Sequence, residues 1–184
     1  MIKYIALLRG INISGKNKIS MSELKKEFEQ LGYENSITYL NSGNVIFTSD
    51  IDSKDIIKDN IHLMILNKFK LDIPVHIITA KELEEILDSS PEWWGTDDKK
   101  IYDNIIFIIP PIKYAEVYQE LGEPNKKYEK IREYKNNIFW SYNLENYRKT
   151  NWWSKTATTK ISNKITIRTA NTMKKILDIC DSKL

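Results

Sequence analysis

The sequence predicts an α+β protein made of two ferredoxin-like halves packed together, each a β-α-β-β-α-β unit with one extra helix. Three observations carry that expectation. Short apolar strands are interspersed with amphipathic helical stretches along the whole chain. The same order of elements can be read on either side of a break in periodicity at residues 91–98. A chain of 184 residues, 41% hydrophobic and 11% aromatic, also has enough apolar material for two small cores, unlike a disordered one.

The first strand is Lys3 to Leu8. Apolar residues fall on both sides of its alternation, Ile5 and Leu7 against Tyr4, Ala6 and Leu8, so both faces are expected to be covered. A polar loop follows from Arg9 to Ile19. Ser20 then opens a helix as its N-cap, with Glu23 placed three residues on as in a capping box. Met21, Leu24, Phe28 and Leu31 form the inner stripe, and Gly32 ends the helix in the left-handed region. Ser36 to Leu40 and Val45 to Thr48 form a hairpin about the turn Asn41-Ser42-Gly43-Asn44. A second helix, Ser53 to Phe69, is buried through Ile57, Ile61, Met64 and Ile65. Pro74 to Thr79 is the fourth strand, and Lys81 to Leu87 the extra helix.

The second half begins with the apolar strand Asn104 to Ile109, stopped by Pro110 and Pro111. Lys113 to Leu121 is a helix closed by Gly122. Tyr128 to Tyr134 and Ile138 to Tyr142 pair about Asn136-Asn137. A poorly periodic stretch with two tryptophans, Leu144 to Ser162, holds a short helix. Lys164 to Arg168 is the last strand, and Ala170 to Asp181 a helix buried through Met173, Ile176, Leu177 and Cys180. The halves are therefore expected at residues 1–90 and 99–184, joined by the loop 91–98 with its Pro91 and Gly95.

Composition removes several function classes. No apolar run reaches the roughly 18 residues of a membrane span, so no membrane partner is expected. The start lacks a small-residue cleavage site and the chain has one cysteine, Cys180, which points to the cytoplasm. His62 and His76 are the only histidines, which excludes a Cys/His zinc site, and neither has an acidic partner nearby in sequence. We expect no metal, no cofactor and no catalytic residues, because nothing assembles into a nucleophile and its base. The net charge of +3 is uneven. Residues 1–98 hold 11 basic and 16 acidic side chains, and residues 99–184 hold 17 and 9. A basic half implies either docking onto an acidic one or an anionic partner.

Two constellations are candidates for binding. In the expected strand order, the third strand lies antiparallel between the first two. The loop after strand one and the turn between strands two and three must then share one end of the sheet. That brings Arg9, Asn12, Gly15, Lys16 and Asn17 towards Asn41, Ser42 and Asn44, a site for a phosphorylated or carboxylated small molecule. Gly10 to Asn17 comes one residue short of a P-loop. Asn17 stands where Ser or Thr must bind Mg²⁺, and the helix starts too late, at Ser20, so nucleotide hydrolysis is set aside. The competing reading is that Arg9 and the asparagines only hold the two loops together.

The second constellation is Tyr147 to Arg168, which has no acidic residue. Arg148, Lys149, Trp152, Trp153, Lys155, Lys160 and Lys164 interleave charge with rings, as a nucleic-acid surface does. Against this stands a solvated lysine face with tryptophans packed inside. An RNA-recognition sheet would instead use Tyr4 and Phe47, but no matching strand pattern supports it.

The runs Leu-Leu-Arg-Gly-Ile-Asn-Ile-Ser-Gly-Lys-Asn-Lys-Ile (Leu7 to Ile19) and Tyr-Leu-Asn-Ser-Gly-Asn-Val-Ile-Phe (Tyr39 to Phe47) closely resemble a bacterial family, domain-of-unknown-function family 1697. The resemblance implies an α+β fold and no particular activity or cofactor. It also implies a role for Arg168, Asn171 and Thr172, which match an Arg-Asn-Trp-Asn-Thr motif before the last helix. Thr169 and Ala170 depart from it. The leading functional expectation is a non-catalytic binding module for an anionic partner such as nucleic acid. The alternative is a metal-independent enzyme or sensor using the Arg9/Lys16/Asn41–Asn44 loop site.

Overall fold

The computed structural model describes residues 1–182. Its elements are β1 (Ile2–Leu8), α1 (Met21–Gln30), β2 (Glu34–Tyr39), β3 (Asn44–Ser49), α2 (Lys54–Phe69), β4 (Val75–Thr79) and α3 (Ala80–Asp88). The chain continues with β5 (Ile101–Ile108), α4 (Tyr114–Leu121), β6 (Glu129–Tyr134), β7 (Asn137–Asn143), α5 (Trp152–Thr158), β8 (Ile165–Thr169) and α6 (Ala170–Asp181). Two 3-10 segments flank α5: Leu144–Lys149, kinked at Asn146, and the single turn Ser162–Lys164. The fold is α+β with two four-stranded antiparallel sheets, ordered β2-β3-β1-β4 and β6-β7-β5-β8. Two compact units result. The first is Met1–Glu84 with the segment from Ile176 on, and the second is Glu85–Lys175, which takes in the whole 91–98 loop.

In the first unit β1 is an inner strand buried on both faces, with Tyr4 at 1% exposure and Ile5 to Leu8 at 0%. Tyr4, Ala6 and Leu8 join the core that α1 and α2 close, through Leu24, Phe28, Ile57 and Ile61. The Tyr4 ring stacks on Phe47 at 5.8 Å and its hydroxyl donates to Ile51 O at 2.9 Å. Phe28 meets Phe47 edge-on at 5.3 Å. These two strand aromatics are core, so the sheet offers no open stacking platform at Tyr4 and Phe47.

Local chemistry explains the helix ends. The Ser20 hydroxyl accepts from Glu23 N, and beyond α1 the N–H of Tyr33 closes back on Phe28 O while Gly32 sits at φ +83°. Ser53 caps α2 in the same way, but α2 ends on a lysine, Lys70, in the left-handed region.

Most element ends of the second unit shift by a residue from the expected boundaries, and two departures have a visible cause. β5 starts three residues early, at Ile101, because its pairing with β7 continues through Tyr102↔Tyr142 to Ile101↔Asn143. The β6–β7 turn sits on Lys135 and Asn136, at φ +46° and +63°, one residue before the expected centre. Asn136 fixes it there: its amide oxygen accepts from Tyr114 N and its Nδ2 donates to Ile112 O. The core is built from Ile106, Ile138, Trp140 and Ile165 against Val117 of α4 and Trp152 of α5.

Candidate functional site

Strand order brings the loop after β1 against the β2–β3 turn, where Leu8 N donates to Gly43 O at 2.8 Å. Gly43 is needed there, since a Cβ at φ +79° would lie 2.7 Å from Leu8 Cβ. Gly10, Asn12, Ser14, Gly15 and Asn17 all take positive φ, so the loop folds onto itself and closes with an Ile13↔Lys16 bridge. Asn12 fastens it. Its Nδ2 donates to Ile19 O and Asn41 O, each at 3.0 Å, and its oxygen accepts from Ile19 N at 2.9 Å. Asn17 donates to Gly10 O, and buried Asn44 donates to Tyr39 O and Ser42 Oγ. Asn12, Asn17 and Asn44 therefore brace the loop and the turn through their side chains, and Asn41 through its backbone carbonyl. Lys16 and Lys18 stay exposed, and desolvation lowers the pKa of half-buried Arg9. A cleft of about 460 Å³ opens between Asn12, Gly15, Lys18, Ser20 and Asn41.

The basic stretch of the second unit is split between interior and surface. Trp152 is fully buried, and its indole donates to Gly122 O at 2.7 Å. Lys155 donates to Leu121 O at 2.8 Å, capping α4. Arg168 is 8% exposed, and its Nη1 donates to Thr166 Oγ1 and Ile167 O, each at 2.9 Å. Thr172 belongs to the start of α6, where its N–H donates to Thr169 Oγ1, while Asn171 is exposed. Arg168, Asn171 and Thr172 lie in the second unit and Arg9 in the first.

Arg148, Lys149, Trp153, Lys160 and Lys164 do reach the surface. The Arg148 guanidinium lies 5.4 Å from the Tyr147 ring, and Trp153 meets that ring edge-on at 4.5 Å. Lys149 and Lys127 each stand 5.4 Å from the Tyr128 ring. Lys130 lies 6.0 Å from Trp93. Lys127, Tyr128, Lys130 and Trp93 are absent from the sequence-derived site. Only the alternation that puts Tyr128 and Lys130 on one side, with inward Glu129 between them, hints at them. The buried Glu129 carboxylate accepts from Asn125 N, Asn151 N and Trp140 Nε1 at 2.6–3.0 Å, which makes it a structural knot.

One correction concerns His62, whose Nε2 pairs with Asp72 at 2.9 Å on the surface. An acidic partner ten residues away across the α2–β4 connection was not legible from the local sequence. Among the described residues no group of three or more His, Cys, Asp or Glu is disposed to hold a metal. No helix among them is long and apolar enough to cross a membrane.

Comparison with solved structures finds the conserved bacterial protein SP0830 from Streptococcus pneumoniae, 31% identical with a TM-score of 0.84, over 97% of this chain and 98% of that one. Comparison with curated proteins finds no match. A family model described as "Protein of unknown function (DUF1697)" matches residues 1–139, the stretch that contains both motifs of the β1 loop and the β2–β3 turn. The chain belongs to that family.

Proposed function

We propose that this protein is a non-catalytic binding module for single-stranded nucleic acid, carried on a scaffold of two ferredoxin-like halves. The repeated element order and the matching strand orders support the scaffold. The observation that carries the function is the pairing of surface cations with surface rings in the second unit: Lys127 and Lys149 about Tyr128, and Arg148 on Tyr147 beside Trp153. Cations bind phosphates, and rings that keep an open face stack bases whatever their identity.

Salt titration of oligonucleotide binding tests this. Each phosphate contact to a single strand contributes about 0.7 to the slope of log K against log salt. Replacing Lys127, Arg148 and Lys149 together by Ala is expected to weaken binding and cut the slope by roughly two. No binding of RNA or DNA strands at low salt overturns the reading.

A second reading rests on the first unit. The cleft beside Asn12 and Gly15, with Lys18 in its lining and Lys16 exposed on the same loop, fits a small phosphorylated or carboxylated ligand of a metal-independent enzyme or sensor. It predicts the opposite pattern: Lys16→Ala with Lys18→Ala abolishes binding of such a ligand, and the second-unit triple variant leaves it intact.

A further inference from the structure

We infer that a cleft walled by Trp93, Ile101 and Tyr128 in the second unit is a pocket for one base of the bound strand. This rests on the nucleic-acid reading and gives it a site outside the 147–168 stretch. The cleft holds about 250 Å³ and is rimmed by Lys126, Lys127 and Lys130. It lies on the sheet face that Lys130 and Ser141 share, opposite the face of Trp140 and Ile138 that builds the core.

Three features fit a base with its phosphates. First, Trp93 and Tyr128 are half-buried, so each ring is held by the fold yet keeps surface for a partner. Second, cations already stand over both rings: Lys130 near Trp93, and Lys127 with Lys149 about Tyr128. A nucleotide whose base enters the cleft would place its phosphates among these lysines. Of the carboxylates around the cleft, Glu129 accepts from three donors, Asp103 accepts from the Ser141 hydroxyl, and Glu123 pairs with Lys126 at 3.0 Å. Third, Asn143 lines the cleft, and its oxygen accepts from Glu145 N at 2.8 Å. Its Nδ2 makes no hydrogen bond among the described residues and is a donor for a base edge.

Pockets that enclose a whole small molecule run to roughly 300–1,000 Å³. At about 250 Å³ this cleft takes one ring system and leaves sugar and phosphates outside on the rim.

The test compares a homothymidine strand with an abasic strand of equal length, on wild type, Trp93→Ala, Tyr128→Ala and Trp93→Phe. Loss of one stacking contact is expected to weaken homothymidine binding roughly 5- to 150-fold in each Ala variant, with the salt slope unchanged. Trp93→Phe, which keeps a ring, should bind within a few-fold of wild type. The abasic strand should bind all four proteins alike. If the homothymidine strand binds wild type and both Ala variants equally, the cleft assignment is overturned and the nucleic-acid reading survives. If it binds wild type no better than the abasic strand, base recognition fails and only charge remains. Absence of binding to either strand overturns both.

Discussion

Asn12 shows how much one side chain fastens. Its backbone is left-handed, a conformation Asn tolerates better than most residues, and its amide makes three hydrogen bonds to the main chain of two loops. Asn12→Ala removes all three and leaves partly buried partners unsatisfied, so a loss of about 1–3 kcal/mol is expected in urea unfolding. Lys16→Ala, at an exposed position of the same loop, should cost under about 0.5 kcal/mol. Equal midpoints for the two variants would show that the Asn12 amide does not join the loops. Glu82 makes a similar argument through charge. Burial pushes its pKa up, but the Lys54 ammonium and the N–H and hydroxyl of Thr79 outweigh that and hold it below the ordinary 4.5. A carboxylate so depressed adds stability above its unfolded pKa and loses it as pH falls through the folded value. Glu82→Gln keeps an acceptor for Thr79 N and removes only the charge. The variant should melt below wild type at pH 7, with the gap closing as pH drops below 4.5. A gap that persists in acid would assign the effect to packing instead.

Turns and caps carry the element scale. Gly43 and Gly15 both have positive φ, but only Gly43 has a neighbour in the way, Leu8 Cβ at 2.7 Å from the added carbon. Gly15→Ala should therefore cost about 1 kcal/mol, the penalty of a left-handed L-residue. Gly43→Ala should cost about 1–3 kcal/mol more, because β1 and the β2–β3 turn must separate. Comparable thermal midpoints would mean that this close approach relaxes freely. Such local devices are what the sequence displays well. Ser20, Gly32 and the Asn41–Asn44 turn mark the ends of α1 and the β2–β3 hairpin, since each acts on residues within a few positions. Long-range partners were not legible. Lys155 reads as a surface cation until Leu121 O, 34 residues earlier, takes its ammonium. Trp152 and Trp153 are adjacent and chemically identical, yet one is wholly buried and the other 41% exposed, decided by the helical turn of α5. The aromatic cleft eluded sequence reading because Trp93, Tyr128 and Asn143 come from three separate segments.

At the scale of the whole molecule, the chain passes between its two units twice, within α3 after Glu84 and within α6 after Lys175. No periodicity announces this, because a helix that changes unit keeps its 3.6-residue stripe throughout. The last turns of α6 thus complete the first unit, where the Lys3 ammonium donates to Cys180 O and Ile176 is fully buried. Cys180, 6% exposed, reports on that docking. Burial pushes its thiol up to about 11, partly opposed by the Lys3 charge. At pH 8 the thiolate fraction alone should make alkylation roughly a hundredfold slower than for an ordinary thiol, and steric burial should slow it further. Adding urea below the global midpoint should raise the rate if the end of α6 opens locally before the unit unfolds. A rate that rises only with the loss of total helicity would make α6 part of one cooperative unit with β1. A native rate equal to that of the denatured chain would mean that Cys180 is not buried and that the first unit ends without α6.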